Sequence, residues 1–70
     1  MNVITVESST LAALAYDDGR EILQLEFRSG ATYQYFAVPL GVLQDLLAAE
    51  SKGTYFNRSI RDQFQHQRLA

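Results

Sequence analysis

ATYQYFAVP, residues 31–39, places Tyr33, Tyr35 and Phe36 within four positions at strand spacing and ends on the single proline of the chain. Side chains two apart on a strand share a face, so Tyr33 and Tyr35 point together. Proline fits the first turn of a helix but not a central strand. The stretch therefore divides a strand-forming half from a helix-forming half.

Upstream, residues 11–16 and 21–27 are two apolar runs on either side of Asp17-Asp18-Gly19-Arg20. An Asp-Gly pair in that setting predicts a hairpin with a two-residue type I′ turn. Asp17 then faces Arg20, Tyr16 faces Glu21, Leu14 faces Leu23 and Ala12 faces Leu25. One face carries Ala12, Leu14, Tyr16, Leu23, Leu25 and Phe27. The other, with Ala13, Ala15, Ile22, Gln24 and Glu26, is smaller and more polar. Residues 1–6 alternate too briefly to decide between a short edge strand and a tail.

The turn Arg28-Ser29-Gly30 fixes where the tyrosines point, because a one-residue slip exchanges the two faces of a strand. With all three residues in the loop and Gly30 in the left-handed conformation, Leu25 faces Tyr33 and Leu23 faces Tyr35. The tyrosines then join the apolar face, and Phe36 points away from it. With Ser29-Gly30 alone as the loop, Tyr33 faces Glu26 on the polar side. The first register buries more carbon and is preferred.

Downstream of Pro39, residues Val42, Leu43, Leu46, Leu47 and Ala49 recur at helical spacing. Gly53 is expected to stop this helix. A second helix follows, capped by Ser51 or Asn57, with Phe56, Ile60 and Phe64 on one stripe and Arg58, Arg61, Gln65 and Arg68 nearly opposite. The fold expected for residues 1–70 is a single α+β domain. It has a three-stranded antiparallel meander, four-stranded if residues 1–6 pair, followed by two helices packed on one face.

The chain has 70 residues, a formal net charge of -2 and no cysteine. Disulfides and thiolate metal sites are excluded. Neither a secretory signal nor a run of ~20 apolar residues is present, so a cytoplasmic protein without membrane contact is expected. Residues 1–50 carry a net charge of -5, whereas residues 51–70 carry Lys52, Arg58, Arg61 and Arg68 against Asp62, a net of +3.

Conventional catalysis has little to work with. His66 is the sole histidine and falls in the C-terminal turn, and Asp17-Asp18 has local turn chemistry to explain it. No cofactor or metal is expected, and no enzyme. Two features suit binding instead. Tyr33 and Tyr35 either stack bases from a sheet surface or cover the core with their hydroxyls at its rim, and the preferred register favours the core. The basic stripe offers guanidinium groups to phosphates.

The chain resembles the KTSC domain family, short modules found at the C-terminus of some lysyl-tRNA synthetases and as stand-alone bacterial or phage proteins. The resemblance spans about residues 6–69. It rests on Ser8-Ser9, Tyr16-Asp17, Tyr33-Gln34-Tyr35, Val38-Pro39 and above all Ser51-Lys52-Gly53-Thr54-Tyr55-Phe56-Asn57 leading to Ile60-Arg61. It implies a domain of unestablished function, with RNA binding suggested by its place on a tRNA synthetase.

Two readings follow. In the first, the domain is a noncatalytic module for RNA or tRNA, with Lys52, Arg58, Arg61 and Arg68 holding phosphates and Tyr33, Tyr35 or Tyr55 offering a ring to a base. In the second, it binds another protein through Phe36, the exposed sheet face or a free strand edge. The oligomeric state is left open by the sequence.

Overall fold

Tyr33 faces Leu25 and Tyr35 faces Leu23 in the computed structural model, which describes residues 2–70; Met1 lies outside the described residues. The chain forms β1 (Asn2–Thr5), β2 (Leu11–Asp17), β3 (Ile22–Phe27), β4 (Thr32–Tyr35), α1 (Leu40–Ala48), α2 (Lys52–Ser59) and β5 (His66–Arg68). The strands make one antiparallel sheet whose spatial order is the chain order. The α+β class and the two helices on one face match expectation, whereas the strand count of three or four is corrected to five. β1 is the optional fourth strand, and β5 is new.

The turn before β4 is the three-residue loop. Phe27 N–H donates to Ala31 O at 2.9 Å and Gly30 N–H to Phe27 O at 2.9 Å, with Gly30 at φ 97°. The hairpin before it differs from expectation. Asp17 faces Ile22 and Tyr16 faces Leu23, so the loop holds four residues. The left-handed residue in it is Glu21, at φ 55°. A register shift of two leaves Leu14, Tyr16, Leu23, Leu25 and Phe27 on their expected face, so the apolar face survives the error, although Leu11 takes the place expected of Ala12. A bulge between Leu11 and Ala13 then lets Leu11 and Leu14, three apart, both enter the core.

That core consists of Val6 just after β1, Leu11, Leu14, Leu23, Leu25 and Tyr35 from the sheet, Val38 from the connection, Leu43 and Leu46 from α1, Phe56 on α2 and Ile60 just after it. Of the residues expected at helical spacing on α1, Leu43 and Leu46 form the buried ridge and Leu47 is exposed. The Tyr16 hydroxyl donates to Val38 O at 2.6 Å and ties the start of α1 to β2. Burial, and then the nearby Glu21, Asp18 and Asp17 carboxylates, raise the pKa of this phenol. Phe36 is half-buried, apart from this core.

The helix boundaries correct two expectations. Ser51 is the cap of α2: its Oγ accepts from Thr54 N–H at 3.2 Å. Gly53 therefore lies in the first turn of α2 instead of stopping α1. A Cβ there would collide with Thr10 Oγ1 and reach 3.0 Å from Thr10 Cβ, so the glycine is what lets α2 sit against the β1–β2 corner. The second helix ends at Ser59 rather than running on towards residue 68. Phe36 N–H donates to Gln65 O at 2.9 Å, and the chain turns back along β4 as β5.

The opposite face of the sheet is polar and partly zipped by side chains. Gln34 Nε2 donates to Gln24 Oε1 at 3.2 Å, and Gln67 Nε2 donates to Gln34 Oε1 at 3.3 Å, a ladder across β3, β4 and β5.

Candidate functional site

The return of β5 along β4 builds a groove that a continuing helix would not. Pairing places Arg68 opposite Tyr33 and His66 opposite Tyr35. The groove, of about 770 Å³, has Phe27, Tyr33, Tyr35 and Phe56 along its floor, Arg61, Asp62, His66 and Arg68 on one wall, and the 29–31 turn at its mouth.

The aromatic rings hold one another in a fixed arrangement. Phe27 meets Tyr33 edge-on at 5.8 Å and Phe56 at 5.1 Å, and Tyr35 meets Phe56 at 5.7 Å. Tyr33 and Tyr35 lie near-parallel at 6.3 Å. The His66 ring is 5.1 Å from Tyr35 and 5.8 Å from Tyr33, and the Arg68 guanidinium lies 5.9 Å from the Tyr33 centroid. Such contacts draw on the ring quadrupole and rigidify the surface.

The two tyrosines are not equivalent. Tyr35 is only 3% exposed, and its phenol pKa is pushed up to about 12, first by burial and next by Tyr33. Arg61 pulls it back and Asp62 adds to the rise. Tyr35 is thus a neutral floor residue with no free face. Tyr33 is half-buried and keeps part of its ring at the groove surface.

The other candidate residues separate. Arg61 and Arg68 share the groove, although neither stands on a helix: Arg61 follows the end of α2 and Arg68 is on β5. Arg58 and Tyr55 line a different, shallower depression with Asp45, Glu50 and Thr54. Lys52 Nζ donates to Ala49 O at 3.2 Å and so covers a carbonyl at the end of α1. The expected stripe of Arg58, Arg61 and Arg68 on one helix is therefore divided between two surfaces. Arg58 forms no ion pair with Asp62; among the described residues the single pair is Arg20 with Asp17, at 4.0 Å.

His66 is the residue that the sequence undervalued. Its place beside Tyr33 and Tyr35 depends on β5, for which the polar run from Gln65 to Arg68 gives no periodic signal. Among the described residues no group of three or more His, Cys, Asp or Glu could hold a metal ion. No helix among them is long and apolar enough to cross a membrane. The groove offers stacking surfaces, two guanidinium groups and an imidazole; Asp62 adds a carboxylate, and Arg68 Nε donates to Ala70 O at 3.0 Å, which leaves its two terminal nitrogens for a ligand.

The comparisons agree with this architecture. The KTSC domain matches residues 7–64. An uncharacterized protein of Stutzerimonas stutzeri is 46% identical over 63 residues, covering 90% of this chain and 89% of that one. A lysine–tRNA ligase of a Nostoc species is 44% identical over 64 residues, which are 91% of this chain and 11% of the ligase. The crystal structure of a KTSC domain protein from Yersinia pestis superposes with a TM-score of 0.94 at 32% identity, covering 99% of this chain and 97% of that one. With its family match, its relatives and its fold in agreement, the chain belongs to the KTSC domain family.

Proposed function

We propose that this domain is a noncatalytic module that binds single-stranded RNA in the groove between the 29–31 turn, β4 and β5. The observation that carries the reading is that Arg68 lies over the half-exposed ring of Tyr33 in a groove that Arg61 also lines. Bases stack on aromatic faces whatever their sequence, and guanidinium groups pair with the flanking phosphates. Tyr33 offers the ring, Arg61 and Arg68 the charges, and His66 a further flat edge. Phe27 and Tyr35 hold Tyr33 in place, and Phe56 packs against both of them. Arg58, Lys52 and Tyr55 stand outside this site. The similarity to part of a lysine–tRNA ligase supports an RNA ligand.

The charge distribution sets the strength of the interaction. An acidic body repels phosphates everywhere except along the C-terminal segment, so binding is weak, local and salt-dependent. Anisotropy titration of a labelled oligoribonucleotide of about 8–12 nucleotides tests this. Binding at low salt is expected, with a log–log salt slope near -1.4 for two phosphate contacts at about -0.7 each. Arg61→Ala/Arg68→Ala abolishes it and Arg58→Ala leaves it unchanged. Absence of binding at low salt, or binding indifferent to salt and to the Arg61/Arg68 pair, sinks the reading.

A second reading, association with a protein, is favoured by a different observation: the β1 edge of the sheet exposes Val3 and Ile4. It uses none of the groove residues.

A further inference from the structure

We infer that β1 is a self-association edge, through which two copies of this chain join their sheets antiparallel about a two-fold axis centred on Ile4. The argument starts from backbone hydrogen bonds. Val6 N–H donates to Ala12 O at 3.2 Å, and β1 continues in the same register, with Ile4 facing Leu14 and Val3 facing Ala15. In an antiparallel pair, bonded and non-bonded positions alternate. Ile4 and Asn2 therefore spend their backbone groups on β2, while the N–H and C=O of Val3 and Thr5 point outward. No strand among the described residues lies on that side.

Only certain registers satisfy these groups in a symmetric pair. A two-fold axis perpendicular to the sheet keeps helix face with helix face, so a residue must face one of the same parity. Centring on Ile4 sets Val3 of each copy against Thr5 of the other. All eight outward groups of the two copies are then used in four hydrogen bonds. Ile4 meets Ile4 of the other copy as a non-bonded pair, the closest kind of cross-strand contact. Centring on Val3 leaves the Thr5 groups of both copies without a partner among the described residues.

The side chains fit this occupant. Val3 is 68% and Ile4 46% exposed, and no charged residue, proline or bulge interrupts residues 2–6. Edge strands that stay single carry such protection. The other edge, β5, has it: three residues with Arg68 and His66. An uncharged strand meets its own copy with no like charges opposed, which an acidic body would otherwise impose. The product is a continuous ten-stranded sheet with the two grooves at its far ends.

Sedimentation equilibrium of the full chain, from micromolar to about 1 mM, reads the association directly. A reversible monomer–dimer equilibrium is expected. Ile4→Lys sets two charges against each other and weakens it about tenfold or more. Thr5→Pro removes an outward N–H that β2 does not use, so the monomer still folds and the dimer is lost. The chain has no cysteine, which makes the register testable. Under mild oxidation Ile4→Cys cross-links to its own copy, whereas Val3→Cys, set against Thr5, does not. A monomeric mass at every concentration, or cross-linking of Val3→Cys as fast as Ile4→Cys, overturns the inference.

Discussion

The guanidinium of Arg68 lies over the ring of Tyr33, 5.9 Å from its centroid, although the two residues are 35 positions apart in the chain. β5 makes that contact by pairing with β4. If the groove binds RNA, the two residues act differently on affinity. Tyr33→Ala removes a stacking surface worth about 1–3 kcal/mol. Arg68→Ala removes one phosphate contact and brings the salt slope closer to zero by about 0.7. Anisotropy titrations over a salt series separate the two effects.

Gly53 is the tightest point between helix and sheet. Gly53→Ala improves helix propensity by about 1 kcal/mol but drives a methyl into Thr10. The expected outcome is a net loss of about 1–3 kcal/mol. Thr10→Ala removes Oγ1, the atom in closest conflict, so the double variant should lose less than the sum of the two single ones. Urea denaturation of the four proteins measures this coupling.

The raised pKa of Tyr35 has a consequence at high pH. A phenol near 10 in the unfolded chain and at about 12 in the folded one stays protonated longer in the native state. Below pH 10 both states hold the proton and stability is unaffected by this group. Between pH 10 and 12 the unfolded chain releases a proton that the folded chain retains, so stability falls as pH rises. In Tyr35→Phe the decline over that window should be shallower, as read by denaturation midpoints at successive pH values.

Tyr16 closes the other end of the molecule. Its hydroxyl satisfies Val38 O, and Val38 is fully buried. Tyr16→Phe leaves that carbonyl without this donor and should cost about 1–2 kcal/mol with the fold retained. Thermal unfolding checks the loss, and an unchanged amide spectrum away from residues 16 and 38 checks the fold.

The part of this fold set by burial was readable from the sequence, and the part set by exposed backbone pairing was not. The three-residue turn through Gly30 followed from asking which register buries Leu23, Leu25 and both tyrosines on one face. The preceding hairpin came out two residues short because Asp18-Gly19 satisfies the turn rule, while in the structure Glu21 takes the left-handed conformation. Parity protected the face assignment from that error. β5 had no such protection. His66, Gln67 and Arg68 are all exposed, so neither periodicity nor hydrophobicity marks them as a strand. Ile60 and Phe64, meanwhile, continued a helical spacing beyond the helix end at Ser59. Arg61, Arg68 and Tyr33 were recognised as binding types, but their meeting in one groove depends on β5 and could not be seen.

The most direct test of the central claim is a ¹H–¹⁵N spectrum of the labelled protein titrated with a short single-stranded oligoribonucleotide at low salt. The account predicts saturable shifts confined to Phe27, residues 29–35 and residues 61–68, with Lys52, Tyr55 and Arg58 unmoved. An unchanged spectrum, or shifts centred on Tyr55 and Arg58 instead, would contradict it.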